Sequence, residues 1–346
     1  MSEPVLVAGL DVGGTKTLAV AIVADRGATS WPDGDDGAPR PAVVATVRRP
    51  TGVGGGDRLL ASTAAVLADL AVDAGVPVDG FAAVGVGVPG LVDRAAGTVR
   101  HAVNLGLDDT PVPLGEHLRS LAHAPVVVDN DVNLAAVGAA VALGCRGDLA
   151  YLSVGTGLAA GLVLDGRPRR GAHGAAGEIG HLPVDPQGPL CDCGQRGCLE
   201  VLASGTAIAA RWTAADGDAS ATSALLAAAA GGDPDAVAVL DDVAGHLAGA
   251  VALLAQTVDP DVIVLGGGVA EAGPGLLEAV RHALRSRAGR SPVLAAIDLA
   301  NRVALVPDGV HAGALGAAVF ARHHLGTDGR TGSPAGPRTD VSSGTP

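Results

Sequence analysis

Val5-Leu6-Val7-Ala8-Gly9-Leu10-Asp11-Val12-Gly13-Gly14-Thr15-Lys16-Thr17-Leu18-Ala19-Val20-Ala21-Ile22-Val23 decides the fold. Apolar residues alternate around Leu6, Ala8 and Leu10 and again around Leu18, Val20 and Ile22, with Asp11 to Lys16 between, which predicts a hairpin closed by a glycine-rich turn. The same pattern returns from Leu149 to Asp165, where Ser153-Val154-Gly155-Thr156-Gly157 separates two apolar runs. A third glycine turn, Gly266-Gly267-Gly268, ends the apolar run Asp259 to Leu265 and precedes a helix around Leu276 to Leu284. Glycine turns let backbone N–H groups converge on an anion with no Cβ in the way. Any one of them is equally well read as a tight hairpin needing glycine for its conformation. Three at strand ends, two carrying a threonine hydroxyl, favour a nucleotide. None fits G-x-x-x-x-G-K-[ST] or G-x-G-x-x-G, so neither a P-loop nor a dinucleotide fold is implied.

Between these turns, Phe81 to Val88 and Pro125 to Val128 are short β-branched runs that predict buried parallel strands. Asp57 to Ala74 predicts a helix with Asp57 as N-cap, and Asp131 to Leu143 predicts another. Gly27 to Pro41 reads as a surface loop and Gly326 to Pro346 as a disordered tail with almost nothing to bury. A chain of 346 residues accommodates two lobes and hence a cleft. No stretch of 18 residues runs free of charge and of Gly/Pro punctuation, so no membrane span is expected. Met1 leads almost directly into a strand, without a secretory leader, so the cytoplasm is expected. A net charge of −13 with 1% aromatics offers neither a basic surface nor stacking platforms, which argues against nucleic acid. The only lysine is Lys16, in the first glycine turn; Arg-biased codon usage explains it equally well.

Three further groups carry chemistry. Asp129-Asn130-Asp131 lies between a strand and a helix, where α/β sheets present ligand-binding residues. One of the three suits a helix N-cap, while an Asp there is also placed to accept a hydroxyl proton in phosphoryl transfer. His181, Cys191, Cys193 and Cys198 place four N/S donors in one Gly/Pro-rich loop, suggesting a closed tetrahedral zinc site. A disulfide is the rival reading, which a reducing cytoplasm disfavours. Glu178 and His181 share a face if their segment is helical, and Glu200 follows the last cysteine by two. These carboxylates are either surface charges or groups held for the hydroxyls of a sugar. Cys145 follows an apolar helix and reads as core.

Together, Gly177-Glu178-Ile179-Gly180-His181 and Cys191-Asp192-Cys193-Gly194-Gln195-Arg196-Gly197-Cys198-Leu199-Glu200 resemble the zinc motif of the ROK family of sugar kinases and sugar-responsive repressors, and more closely of its bacterial glucokinases. The resemblance runs from about Val5 to Leu325. It implies an α/β, actin-like (ribonuclease H-like) duplicated two-lobe fold with an interlobe cleft. The lobes would be 1–122, completed by a C-terminal helix 311–325, and 123–310, carrying a zinc loop 181–200, followed by a tail 326–346. It implies Asp131 as catalytic base, with Asn104, Asn130, Asp131, Glu178, His181 and Glu200 contacting the sugar. Asp11, Gly13, Gly14, Thr15 and Lys16, with Gly155, Thr156 and Gly157, match the two phosphate-binding turns, Asp11 lying near Mg²⁺. Gly266, Gly267 and Gly268 match the adenosine side. The implied activity is ATP-dependent phosphorylation of a hexose, glucose first, with fructose, N-acetylmannosamine, N-acetylglucosamine and allose as alternatives. A structural Zn²⁺ and a homo-oligomer, dimer or tetramer, are implied as well. Repressors of this family carry a helix-turn-helix before the first phosphate turn. Only ten residues precede Asp11 here, so a kinase is expected. Two positions depart from the family pattern, Leu107 where a Trp is frequent and Ala139 where a Glu is; both bear on sugar preference.

Overall fold

The computed structural model describes residues 4–24, 40–213 and 220–325. Most of the expected 27–41 loop and all of the expected 326–346 tail lie outside them. In the first half, strands β1 (Val5–Val12), β2 (Lys16–Ala24) and β3 (Val43–Pro50) are followed by helix α1 (Gly56–Ala74) and strand β4 (Phe81–Val88). A small hairpin, β5 (Leu91–Asp93) and β6 (Thr98–Arg100), precedes helix α2 (Leu114–Ala122), strand β7 (Val126–Asn130) and helix α3 (Asp131–Leu143). The sheet order is β3-β2-β1-β4-β7, with β1 antiparallel to β2 and parallel to β4.

The second half repeats this plan. Strands β8 (Leu149–Val154), β9 (Leu158–Leu164) and β10 (Arg167–Pro168) lead to helices α4 (Leu199–Ala203), α5 (Gly205–Arg211), α6 (Ala221–Ala230) and α7 (Pro234–Val258). Strand β11 (Val262–Gly266), helices α8 (Pro274–Ala288), α9 (Pro292–Ala296) and α10 (Leu299–Arg302), strand β12 (Val303–Leu305) and helix α11 (Ala312–Leu325) complete it. The order β10-β9-β8-β11-β12 reproduces the first sheet strand for strand, antiparallel on one side of β8 and parallel on the other. The two repeats form a duplicated two-lobe, actin-like fold.

Helices α1 and α2 cover one face of the first sheet through Leu59, Val66, Leu67, Leu114 and Leu118. Helices α3 and α11 lie between the sheets, meeting Val7, Val20 and Ile22 on one side and Leu149, Tyr151 and Val264 on the other. Helix α7 and its neighbours cover the far face of the second sheet. The central strands β1, β4, β8 and β11 are thus buried on both faces, which is why they read as nearly continuous apolar runs.

Several expectations are corrected. The expected lobe boundary at 122/123 comes too early, because β7 pairs in parallel with β4 and belongs to the first sheet. The strand expected at Pro125 to Val128 continues through Asp129 and Asn130. Asp57 does not cap α1: Gly55 holds the N-cap position, and Asp57 sits in the first turn, where its charge favours the helix dipole. Asp259 lies before β11, in the left-handed C-cap position of α7 with φ 44°. Helix α7 is long and apolar enough, by length and composition, to cross a membrane. It packs Val243, Leu247, Val251 and Leu254 into the second-lobe core, so its apolarity has a partner within the chain.

Helices α3 and α11 meet backbone to backbone. A Cβ on Gly138 would overlap the Ala312 carbonyl, and one on Gly316 would overlap the Leu134 carbonyl. Valine has the higher helix propensity, so Gly138→Val should stabilise the isolated helix. In the protein it is expected to cost about 1–3 kcal/mol through overpacking. A lower urea midpoint at unchanged slope is the expected result, and a midpoint equal to wild type would show that the helices part freely.

Candidate active site

The first glycine turn, between β1 and β2, is braced from the end of β3. Gly13 N–H donates to the Lys16 carbonyl at 2.9 Å, Thr51 Oγ1 donates to the Gly13 carbonyl at 2.7 Å, and Thr51 N–H donates to Thr15 O at 3.0 Å. Asn104, in the 3-10 turn Val103–Leu105, lies against Gly14, where a Cβ would stand 3.0 Å from that of Asn104. The second turn is braced from α5: Gly205 N–H donates to Gly155 O at 2.7 Å and Thr206 Oγ1 to Thr156 O at 2.8 Å. The third turn packs on the second, with Val269 N–H donating to Val154 O at 2.9 Å. Gly267, at φ 83°, donates its N–H to the hydroxyl of Tyr151, the only tyrosine, at 3.1 Å. The Lys16 ammonium, from the first lobe, stands 3.4 Å from the Glu271 carboxylate beyond the third turn. All three turns therefore converge on one cleft.

The run Asp129-Asn130-Asp131 divides its tasks by position. Asn130 is the N-cap of α3, its Oδ1 accepting the N–H groups of Val132 at 3.0 Å and Asn133 at 3.3 Å. Its amide NH₂ remains available. Asp131, released from capping, accepts the N–H of Val132 next to it, at 3.0 Å. Burial, with the Glu178 charge adding to it, raises the Asp131 carboxyl to about 6. Asp129 is no cleft group: it is 2% exposed and paired with Arg170 and Arg94. At the end of β1, burial, the Asp131 charge and Glu271 raise Asp11 to about 7, with Lys16 opposing them. Two crowded carboxylates on the ends of neighbouring elements make a site that a cation would relieve.

Glu178 and His181 flank a single 3-10 turn, Ile179–His181, in which i and i+3 positions eclipse. Their common face thus arises from a 3-10 turn where an α-helix was one premise. Glu200, one residue into α4, accepts the Leu158 N–H through Oε2 at 2.9 Å, which ties it to the second glycine turn and leaves Oε1 free. The ligand atoms of His181, Cys191, Cys193 and Cys198 all lie within 4.8 Å of one another. Cys191 Sγ is 3.7 Å from His181 Nδ1 and Cys193 Sγ is 3.6 Å from Cys198 Sγ. Zn–S bonds of about 2.3 Å give a tetrahedron whose edges are about 3.8 Å, so the four donors fit that ion. All four thiols of the chain are free, so the rival disulfide is not formed. Cys145 is half-buried against Leu149 and its neighbours and donates weakly to Gly147 O at 3.7 Å.

Among the expected residues, Asn104 lies against Gly14, Glu178 acts on Asp131, Asp131 on Asp11, Glu200 binds beside the second turn, and the four N/S donors cluster; around them stand Tyr151 and Glu271, with Arg94 and Arg170 on Asp129. Only Tyr151 carried a signal, as a lone aromatic within an apolar strand; a surface glutamate and two arginines carry none. The departures from the family pattern, Leu107 and Ala139, are 6% and 0% exposed and pack into the hydrophobic cores.

The sequence model of the ROK family matches residues 63–324. The chain is 37% identical over 217 residues to a glucokinase of Halalkalibacterium halodurans, covering 58% of this chain and 65% of that protein, just under two thirds. It is 34% identical over 320 residues to an N-acetylmannosamine kinase of Yersinia pestis, covering 91% and 98%. It is also 33% identical over 225 residues to a xylose repressor of Caldicellulosiruptor bescii, covering 60% and 55%. Among solved structures, a ROK family glucokinase of Streptomyces griseus in complex with glucose and AMPPNP superposes with a TM-score of 0.70 at 29% identity, covering 92% of this chain and 99% of that one.

Proposed function

The chain belongs to the ROK family, and from that premise we propose that it is an ATP-dependent hexose kinase, with glucose converted to glucose 6-phosphate as its first reaction. The observation that carries this reading is the Asp131 carboxyl, raised to about 6 at the N-terminus of α3, in the cleft where the glycine turns of both lobes meet. A general base works best when its pKa lies near the operating pH. Asp131 takes the proton of the sugar hydroxyl, whose oxygen attacks the γ-phosphorus as the bond to the β-phosphate breaks and ADP leaves. The two glycine turns, Gly13 to Thr15 and Gly155 to Gly157, with the Lys16 ammonium, hold the phosphates, and Gly266 to Gly268 border the adenosine. Asp11 is the group to hold Mg²⁺, which when bound neutralises charge on the phosphate oxygens. Asn104, Asn130, Glu178, His181 and Glu200 orient the sugar. In the proposed zinc site His181 turns Nδ1 towards Cys191 Sγ, leaving Nε2 for a hydroxyl. His181, Cys191, Cys193 and Cys198 would fill all four positions of a bound zinc, which would then act structurally and hold rigid the loop that carries Glu178 and Glu200.

An ADP-release assay with ATP across glucose, fructose, allose, N-acetylmannosamine and N-acetylglucosamine tests the activity and names the sugar. Release with no hexose, alongside measurable sugar binding, would leave a sugar-binding regulator as the better reading.

Asp131→Ala is expected to keep sugar binding and to lose roughly 10²–10⁴ in kcat, the scale of a missing general base. Retention of more than a tenth of wild-type kcat would place the base elsewhere.

The base must be ionised to act, so wild-type kcat should fall as pH drops through about 6. Far below that pH the loss approaches about tenfold per unit. A kcat profile flat down to pH 5 would contradict the assignment.

Metal analysis of purified protein should find about one zinc per chain, and Cys193→Ser should lose it. That variant should raise the sugar KM far more than the ATP KM. Active enzyme without zinc, or an unchanged sugar KM, would reject the site.

A further inference from the structure

We infer that Arg170 is a positioning residue that clamps the loop carrying Glu178 to the strand end carrying Asp131. The inference rests on the kinase reading above. Arg170 follows β10 in the second lobe, while Asp129 ends the last strand of the first sheet. Arg170 Nε donates to Asp129 Oδ1 at 3.1 Å and Oδ2 at 2.9 Å, and Nη2 donates to Oδ2 as well. Nη1 donates to Pro168 O at 3.1 Å, and the guanidinium carbon stands 5.3 Å from the ring centre of Phe320 on α11. The side chains of Arg170 and Asp129 are 18% and 2% exposed, so the pair is shielded from solvent. A planar fork that meets one carboxylate with two nitrogens fixes orientation as well as distance, which an ammonium does not.

Hydrogen bonds run from each partner to a reacting part. Asp129 Oδ1 accepts the Asn130 N–H at 2.9 Å, and the Asn130 side chain caps the helix whose first residue is Asp131. On the other side, the Arg170 carbonyl accepts the Ala176 N–H at 3.0 Å, closing the loop just before Gly177 and Glu178. Gly177 is held in turn by the Ala160 N–H, which donates to its carbonyl at 2.7 Å. The proton acceptor and a sugar-facing carboxylate come from different lobes, and Arg170 joins their supports. Arg94, from the turn between β5 and β6, also reaches Asp129 at 3.3 Å, but through one contact of a side chain 45% exposed. It balances charge and leaves orientation to Arg170.

The test is steady-state kinetics on the full chain with Arg170→Ala, Arg170→Lys, Asp129→Asn, the Arg170→Ala/Asp129→Asn pair and Arg94→Ala, each checked for folding by its Tm. Arg170→Ala should lower kcat and raise the hexose KM together, by about 10- to 100-fold in kcat/KM, with the ATP KM unchanged. Arg170→Lys should fall between wild type and Arg170→Ala, and Arg94→Ala should lose less than either. The double variant should be no worse than the worse single one, as expected for partners in one interaction. Wild-type hexose parameters in folded Arg170→Ala, additive losses in the double variant, or a parallel rise in the ATP KM would each overturn the clamp. If Arg170→Ala does not fold, Arg170→Lys and Asp129→Asn are judged by the same split. If wild type turns over no hexose, the kinase reading fails by itself. Hydrogen exchange then decides the clamp: faster exchange in Arg170→Lys confined to residues 129–133 and 171–178 upholds it, and unchanged or global exchange overturns it.

Discussion

Helices α3 and α11 touch through glycine, Gly138 beneath the Ala312 carbonyl and Gly316 beneath that of Leu134, and the spacing of the whole molecule follows from that contact. The pair lies between the two sheets. On one side α11 presses onto the first sheet where Gly85 faces the Ala317 carbonyl, and on the other α3 presses onto β9 where Gly161 faces the Val132 carbonyl. Small residues at these crossings remove the side-chain layer that ordinarily keeps helix and sheet about 10 Å apart. With the sheets drawn together, the ends of β1, β7 and β8 open on one cleft. The 48% hydrophobic composition is weighted towards small side chains for this reason: the interior is filled by close backbone approach, not by aromatic bulk.

Closeness also sets the electrostatics. Asp11, Asp131, Glu178 and Glu271 come from four separate stretches of chain, and their mutual influence is seen in the raised Asp11 and Asp131 carboxyls. Lys16 offsets part of that charge from within the first glycine turn and pairs with Glu271 across the cleft. In the proposed kinase, a phosphate arriving at Lys16 would compete with Glu271 for the same ammonium. The exposed Lys16–Glu271 pair is therefore cheap to break, since surface ion pairs contribute at most about 1 kcal/mol. The shielded Arg170–Asp129 pair is not, because separating it leaves the buried Asp129 charge with only the more exposed Arg94 as partner. The two cross-lobe contacts thus have different characters, one exchangeable and one fixed.

Much of this was legible in the sequence, for reasons particular to each element. The hairpins around Gly13 and Gly155 declared themselves because strand alternation and glycine turns are local signals, and α3 kept the bounds Asp131 to Leu143 because an Asn cap and a C-terminal glycine mark both ends. The His181, Cys191, Cys193, Cys198 cluster was visible because thiol spacing survives without any fold. The strand limit at Asn130 was not legible, since polar residues seldom continue a strand and it is pairing with β4 that carries β7 through them. The Asp57 cap failed because Gly55, at φ 111°, turns the chain two residues earlier. Arg170 was invisible because its meaning lies in a contact with Asp129, 41 residues away, and an arginine in a polar loop gives no local hint of it.

The duplication explains what the two lobes share, and the departures from it explain where chemistry sits. Strand for strand, β1-β2-β3-β4-β7 corresponds to β8-β9-β10-β11-β12, and α3 corresponds to α11. The first turns of both repeats keep Gly and Thr, a symmetry suited to phosphates approached from two sides. At the ends of the last strands the repeats part. The first repeat starts α3 with a capping Asn130 and the free carboxylate of Asp131, whereas the second starts α11 with His311 and Ala312. A Gly at position 313 then leaves room for the Asp11 carboxylate against the first turn of α11. The second repeat spends its extra length between β10 and α7, and there it carries Glu178, Glu200 and the four N/S donors. In the proposed kinase one strand end would supply the base, the insertion in the other repeat the sugar-facing groups, and a contact between the repeats would align them. Arg170 stands at the root of that insertion and Asp129 at that strand end, which is where such a contact has to be made.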